Sequence, residues 1–143
     1  MEKKIKKILV PINGTKNSNH GLEMAISIAK HHDATITCIY AINTPSRSEF
    51  GGTRTVDKTL KEYADKMMEE ANTLVTQNDI VFTGKILHGD AGFNIIKLAH
   101  DKKLKFNIIV IGSRNLGPIK KMFLGSVSNY VVQASKIPVL VVK

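Results

Sequence analysis

The chain is poor in the features that would commit it to export, to a membrane or to a disulfide framework. Its one cysteine, Cys38, cannot close an internal disulfide and fits a reducing interior. Set in an apolar strand pattern, it reads as a buried, inert thiol. No apolar run approaches the roughly 20 residues that span a bilayer. The basic start, Met1-Glu2-Lys3-Lys4-Ile5-Lys6-Lys7, is followed only by residues 8–12, broken by Pro11, which is too short for a signal-peptide core. The expectation is a cytoplasmic protein with no membrane partner. Acidic side chains are also scarce: 12 Asp and Glu against 21 Lys and Arg give a formal net charge of +9. The lysines are spread over 3–7, 58–66, 102–105 and 120–121, with no basic helix and no aromatic-basic strand. The surplus therefore reads as a solvated surface that favours anions, and nucleic acid is disfavoured as the main partner.

Catalytic signatures are missing as well. The P-loop pattern ending in Gly-Lys-Ser/Thr is absent, and no Ser-His-Asp order or Cys-His pairing is evident. Of the five histidines, His31 and His32 are adjacent, so on a helix they point about 100° apart and share a metal poorly. His20, His88 and His100 stand alone, and His88 reads as a surface turn residue.

What is present is an alternation of strands and helices in 143 residues, enough to bury one real core and expected to form a single domain. Ile5, Ile8, Leu9, Val10 and Ile12 mark a first strand, closed by Pro11 and Asn13-Gly14-Thr15. Leu22, Ala25, Ile26 and Ala29 recur at helical spacing in a helix predicted to start near Asn17-Ser18 and to end at His31-His32-Asp33. Residues 35–42 form a β-branched second strand, and 43–56 a polar loop. Leu60, Tyr63, Ala64, Met67, Met68, Ala71, Leu74 and Val75 give an apolar stripe over four helical turns, with both methionines as core filling. A third strand at 80–87 is interrupted by Gly84; Asp90 is a plausible N-cap for a helix with Ile95, Ile96 and Ala99 inside. Strands at 107–111 and 137–142 flank a last helix. This β-α order predicts a parallel sheet covered on both faces, with ligands bound beyond the carboxyl ends of strands where the strand order reverses. The loops at 11–15, 41–43 and 112–126 would converge there.

The most informative stretch is 107–143. Asn107-Ile108-Ile109-Val110-Ile111 is a strand buried on both faces, broken by Gly112-Ser113-Arg114-Asn115. Gly125-Ser126 then opens an amphipathic helix through Val127, Tyr130, Val131 and Ala134, with Ser126 as the expected N-cap. The first free amides of such a helix suit an anion, and a nucleotide phosphate is the functional reading; the alternative is that these glycines only make turns.

Lys7-Ile8-Leu9-Val10-Pro11, Gly112-Ser113-Arg114, Gly125-Ser126-Val127-Ser128 and Ile137-Pro138-Val139-Leu140-Val141-Val142 together resemble the universal stress protein family, single-domain type, over the whole chain. The family's ATP-binding branch carries glycine, two residues, glycine, nine residues, then glycine with serine or threonine. Gly112, Gly125 and Ser126 match at that spacing, and Asn115 replaces the second glycine. The resemblance implies an α/β three-layer open sandwich of the adenine nucleotide alpha hydrolase type, with a five-stranded parallel sheet in the order 3-2-1-4-5. It implies a homodimer, often joined through the last strands, and ATP in the crevice, Mg2+ being an optional companion. Carried over residue by residue, Pro11, Ile12 and Asn13 would lie by adenine and ribose, and Ala41 would line the adenine pocket. Ile111, Gly112 and Asn115, in a loop shared with Ser113 and Arg114, would contact ribose and phosphates. Gly125, Ser126, Val127 and Ser128 would hold the outer phosphates, and Gly89 would sit at the rim. Asn13 stands where ATP binders often have aspartate; the amide keeps both a donor and an acceptor.

Three functions follow as alternatives. One is a nucleotide-binding dimeric module in a stress response, read by an unidentified downstream protein and with little or no hydrolysis. Another is a slow ATPase, for which Arg114, Lys120 and Lys121 offer charge but the glycine loop offers no Asp or Glu. The last is a dimeric scaffold without nucleotide.

Overall fold

The computed structural model describes residues 4–43, 54–113 and 125–143. Nine elements follow one another: β1 (Lys7–Pro11), α1 (Lys16–His32), β2 (Thr35–Ile42), α2 (Arg54–Thr76), β3 (Phe82–His88), α3 (Ala91–Ala99), β4 (Ile108–Gly112), α4 (Ser126–Ala134) and β5 (Val139–Val142). The five strands are parallel in the order β3-β2-β1-β4-β5, as expected. None of the helices among the described residues is long and apolar enough to cross a membrane.

The pleat decides which helix covers which face, because successive side chains leave a strand on opposite sides. Ile8, Val10, Ile36, Cys38 and Val110 pack with Leu22, Ala25, Ile26 and Ala29 of α1 and with Met68, Ala71 and Val75 of α2. Leu9, Ile39, Ile109 and Ile111 pack with Ile95 and Ala99 of α3 and Val131 of α4. Two helices therefore lie on each face, which makes three layers. The starts of the central strands are buckled by Asn107, whose Oδ1 accepts from the amides of Lys6 and Lys7 at 2.7 and 2.9 Å.

Element limits depart from the sequence expectation in four places. Helix α1 starts at Lys16, ahead of Asn17-Ser18, because Thr15 is its N-cap and accepts from the Ser18 amide. Helix α2 begins at Arg54, so the last residues of the expected 43–56 loop are helical; residues 44–53 lie outside the described residues. Strand β3 runs unbroken through Gly84. A β-carbon at Gly84 would stand 2.7 Å from Met68 Sδ, so the glycine makes room for that methionine and does not interrupt the strand. The chain also joins the sheet as β5 only at Val139, beyond Pro138.

Cys38 is fully buried, and burial pushes its thiol from the ordinary 9.0 up to about 12. Above the ordinary value the unfolded chain gives up this proton while the folded chain keeps it. Stability therefore falls as pH rises from 9.0 toward about 12. At neutral pH we expect Cys38 to ignore a thiol reagent in buffer and to react stoichiometrically in denaturant; full reaction of the folded protein would contradict its burial.

Candidate functional site

The strand order reverses between β1 and β4. The chain leaves β1 toward the face that holds α1 and α2, and leaves β4 toward the face that holds α3 and α4. Their carboxyl ends therefore diverge and leave a crevice. A cavity of about 610 Å³ opens there, a size typical of small-ligand sites.

One wall is the entry to α1, tightly wired. Asn13 Oδ1 accepts from the amide of Thr15 at 3.0 Å and from its hydroxyl at 2.7 Å. The Thr15 Oγ1 accepts in turn from the Ser18 amide, and Ser18 Oγ accepts from the Asn13 amide at 3.0 Å. An amide N–H requires an oxygen, so this ring fixes which way the Asn13 carboxamide faces: Oδ1 is spent and Nδ2 is left over. Asn17 Nδ2 donates to the carbonyl of Ser113, tying the start of α1 to the end of β4. That approach explains Gly112. A β-carbon there would lie 2.1 Å from the Asn17 carbonyl oxygen, and one at Gly21 would lie 3.0 Å from the Gly112 amide nitrogen. The opposite wall is the start of α4. Gly125 is its N-cap, with extended backbone and no side-chain cap bond. This corrects the expectation for Ser126, which is the first helical residue, one position too late for its hydroxyl to reach the amides of the first turn. Ser128 Oγ donates to the Gly125 carbonyl at 3.2 Å and so does not cap them either. The apolar lining comes from Pro11, Ile12, Ile39, Ala41, Ile95 and Ile111.

Pro11, Ile12, Asn13, Ala41, Ile111, Gly112, Ser113, Gly125, Ser126, Val127 and Ser128 are thus brought to one cavity. Gly89 is not: its amide donates to the Ile42 carbonyl at 2.9 Å, with φ +115°, and Ala91 reaches the cavity in its place. Arg114 and Asn115, with Lys120 and Lys121, lie outside the described residues. Sequence reasoning placed Thr15 only at the end of a converging loop and missed Lys16, Asn17, Ser18, Ile39, Ala91 and Ile95; all seven line the cavity. For the first four a signal existed, since Asn-Gly-Thr followed three residues later by Ser18 is a capping pattern.

No Asp or Glu lines the cavity among the described residues. The arrangement offers hydroxyls, outward amides, one ammonium and an apolar slot. It can hold a molecule that is flat and apolar at one end and anionic at the other.

An open α/β sheet with a ligand-sized crevice at its reversal point and an uncapped helix start beside it defines a doubly wound binding domain. The universal stress protein family model matches residues 4–143, and the chain belongs to that family. A universal stress protein of Methanocaldococcus jannaschii is 28% identical, covering 96% of this chain and 82% of its own. Similar solved structures include a universal stress protein in complex with cAMP, with TM-score 0.76, 20% identity and 99% of both chains covered. An Arabidopsis thaliana family member with AMP bound has TM-score 0.72 and 22% identity, covering 97% of this chain and 96% of its own.

Because Asn17 occupies the space a β-carbon would need, Gly112→Ala forces α1 away from β4. We expect a loss of about 2 kcal/mol, read as a lower urea midpoint at constant m-value. An unchanged midpoint would show that the approach is not tight.

Proposed function

We propose that the crevice binds an adenine nucleotide, ATP in particular, and that the chain acts as a nucleotide-holding regulatory module in a stress response, with little or no hydrolysis. The observation that carries this reading is the start of α4. Its first amides, on Ser126, Val127 and Ser128, have no side-chain cap and stand at the cavity. Helix-start N–H groups that no side chain caps among the described residues, together with the helix dipole, favour a phosphate there. The slot between Ile39, Ala41, Ile95 and Ile111 suits a base, and the AMP and cAMP held by similarly folded family members support the ligand class. Pro11, Ile12 and Asn13 belong to the base and ribose end, Gly112 and Ser113 to the middle, and Gly125 through Ser128 to the phosphates. The lack of a lining carboxylate among the described residues supports retention over hydrolysis, since nothing there would orient a water.

The same reading makes the chain a homodimer. β5 is an edge strand, and its four residues, Val139, Leu140, Val141 and Val142, remain only half-buried. An apolar edge of this kind is a template for a second copy.

Purified protein should release ATP on acid extraction or bind it in a calorimeter, and Gly125→Val should abolish that binding by filling the space before the α4 amides. Unchanged binding in the variant would sink the phosphate assignment. Sizing by light scattering should give twice the 15.8 kDa chain mass.

A further inference from the structure

We infer that Lys16 supplies the counter-charge for the nucleotide's phosphate tail, so that the crevice takes nucleoside polyphosphates without a divalent cation. This rests on the nucleotide reading above and says how that site handles charge.

Mg2+ at a nucleotide is held by phosphates together with one or two protein carboxylates, and it demands hard oxygen donors in octahedral array. Among the described residues the lining has no carboxylate. The polar side chains on the α1 side are committed or offer only a donor, and the other neutral side-chain oxygens in the lining are serine hydroxyls. Asn13 Oδ1 already accepts twice from Thr15, so this side chain has only its donor Nδ2 left. The Thr15 hydroxyl is spent on Asn13 and on the Ser18 amide. The amide of Asn17 donates to Ser113. The α1 wall therefore offers a metal ion no free acceptor from these side chains, and the hydroxyls of Ser113, Ser126 and Ser128 stand without a carboxylate beside them among the described residues, a poor donor set for Mg2+.

They do fit an anion, and Lys16 completes the fit. It lines the cavity, and no carboxylate pairs with it among the described residues, where the ion pair found is Lys61–Asp65. It is also the first residue of α1, and that first turn has no acidic side chain. A cation at a helix N-terminus opposes the dipole and is the wrong choice for stability. A local rule broken beside a binding cavity is what a functional residue produces. Lys16 lines the cavity from the start of α1, and Ser126, Val127 and Ser128 line it from the start of α4, so both helix starts can bring positive charge to a phosphate chain held there.

The test is calorimetry on the full chain with adenosine, AMP and ATP, each in EDTA and in excess Mg2+. Wild type should bind ATP about equally well in both buffers. Lys16→Gln should weaken ATP about tenfold in EDTA, as loss of a charged hydrogen bond does, weaken AMP less and leave adenosine alone. Lys16→Arg should retain most of the ATP affinity. Lys16→Gln should also melt no lower than wild type, since it removes a cation from the wrong helix end; a structural role would lower melting and binding together. The inference is overturned if wild type needs Mg2+ to bind ATP, if Lys16→Gln binds ATP like wild type, or if adenosine, AMP and ATP weaken equally. Wild type that binds no nucleotide in either buffer overturns the nucleotide reading itself, and this inference with it.

Discussion

The shape of this molecule depends on one close approach. The carbonyl of Asn17 sits where a β-carbon on Gly112 would be, and the Asn17 side chain holds the Ser113 carbonyl. The first turn of α1 is thereby pressed onto the end of β4, across the point where the strand order reverses. Parallel sheets leave a crevice at such a point because the chain departs in opposite directions from neighbouring strands. Here the approach sets the crevice's width on one side, and the Asn13-Thr15-Ser18 ring makes that side rigid.

Three helix starts show how a fold separates structural from functional polar groups. α1 is capped by Thr15 and α3 by Asp90, whose carboxylate accepts from the Phe93 amide at 2.8 Å. Both helices satisfy first-turn amides with their own side chains. Among the described residues α4 does not, since Gly125 offers no side chain and the Ser128 hydroxyl turns back to the Gly125 carbonyl. Unsatisfied donors are tolerated only where water or a ligand meets them. Among the described residues, the helix start without a side-chain cap is one that lines the cavity.

Much of the architecture was legible because it is written in short-range pattern. Short continuous apolar, β-branched runs placed β1, β2 and β4, and the helical spacing of Leu22, Ala25, Ile26 and Ala29 placed α1, since such patterns record which faces are buried. The errors fell at element ends and at Gly84, where a distant side chain decides the outcome. Gly84 looks like a break until Met68, from another element, is seen filling the space above it. Of the cavity-lining residues, Gly125 and Ser126 were marked by the glycine spacing, and Val127 and Ser128 by the family resemblance. Ile39 and Ile95 were missed because a core isoleucine carries no local mark of facing a cavity, and Lys16 and Asn17 because a capping pattern marks a helix start and not what that start faces.

The sequence by itself determined the order of strands and helices, the family and the residues that the start of α4 brings to the crevice, because each follows from local periodicity or from a spaced motif. Tertiary structure alone decided that Gly112 answers to Asn17, that the Asn13 carbonyl oxygen is engaged by Thr15, and that Lys16 shares a cavity with a helix start 110 residues further along the chain. These depend on contacts between segments far apart in the chain, and no local pattern encodes a distance across a sheet.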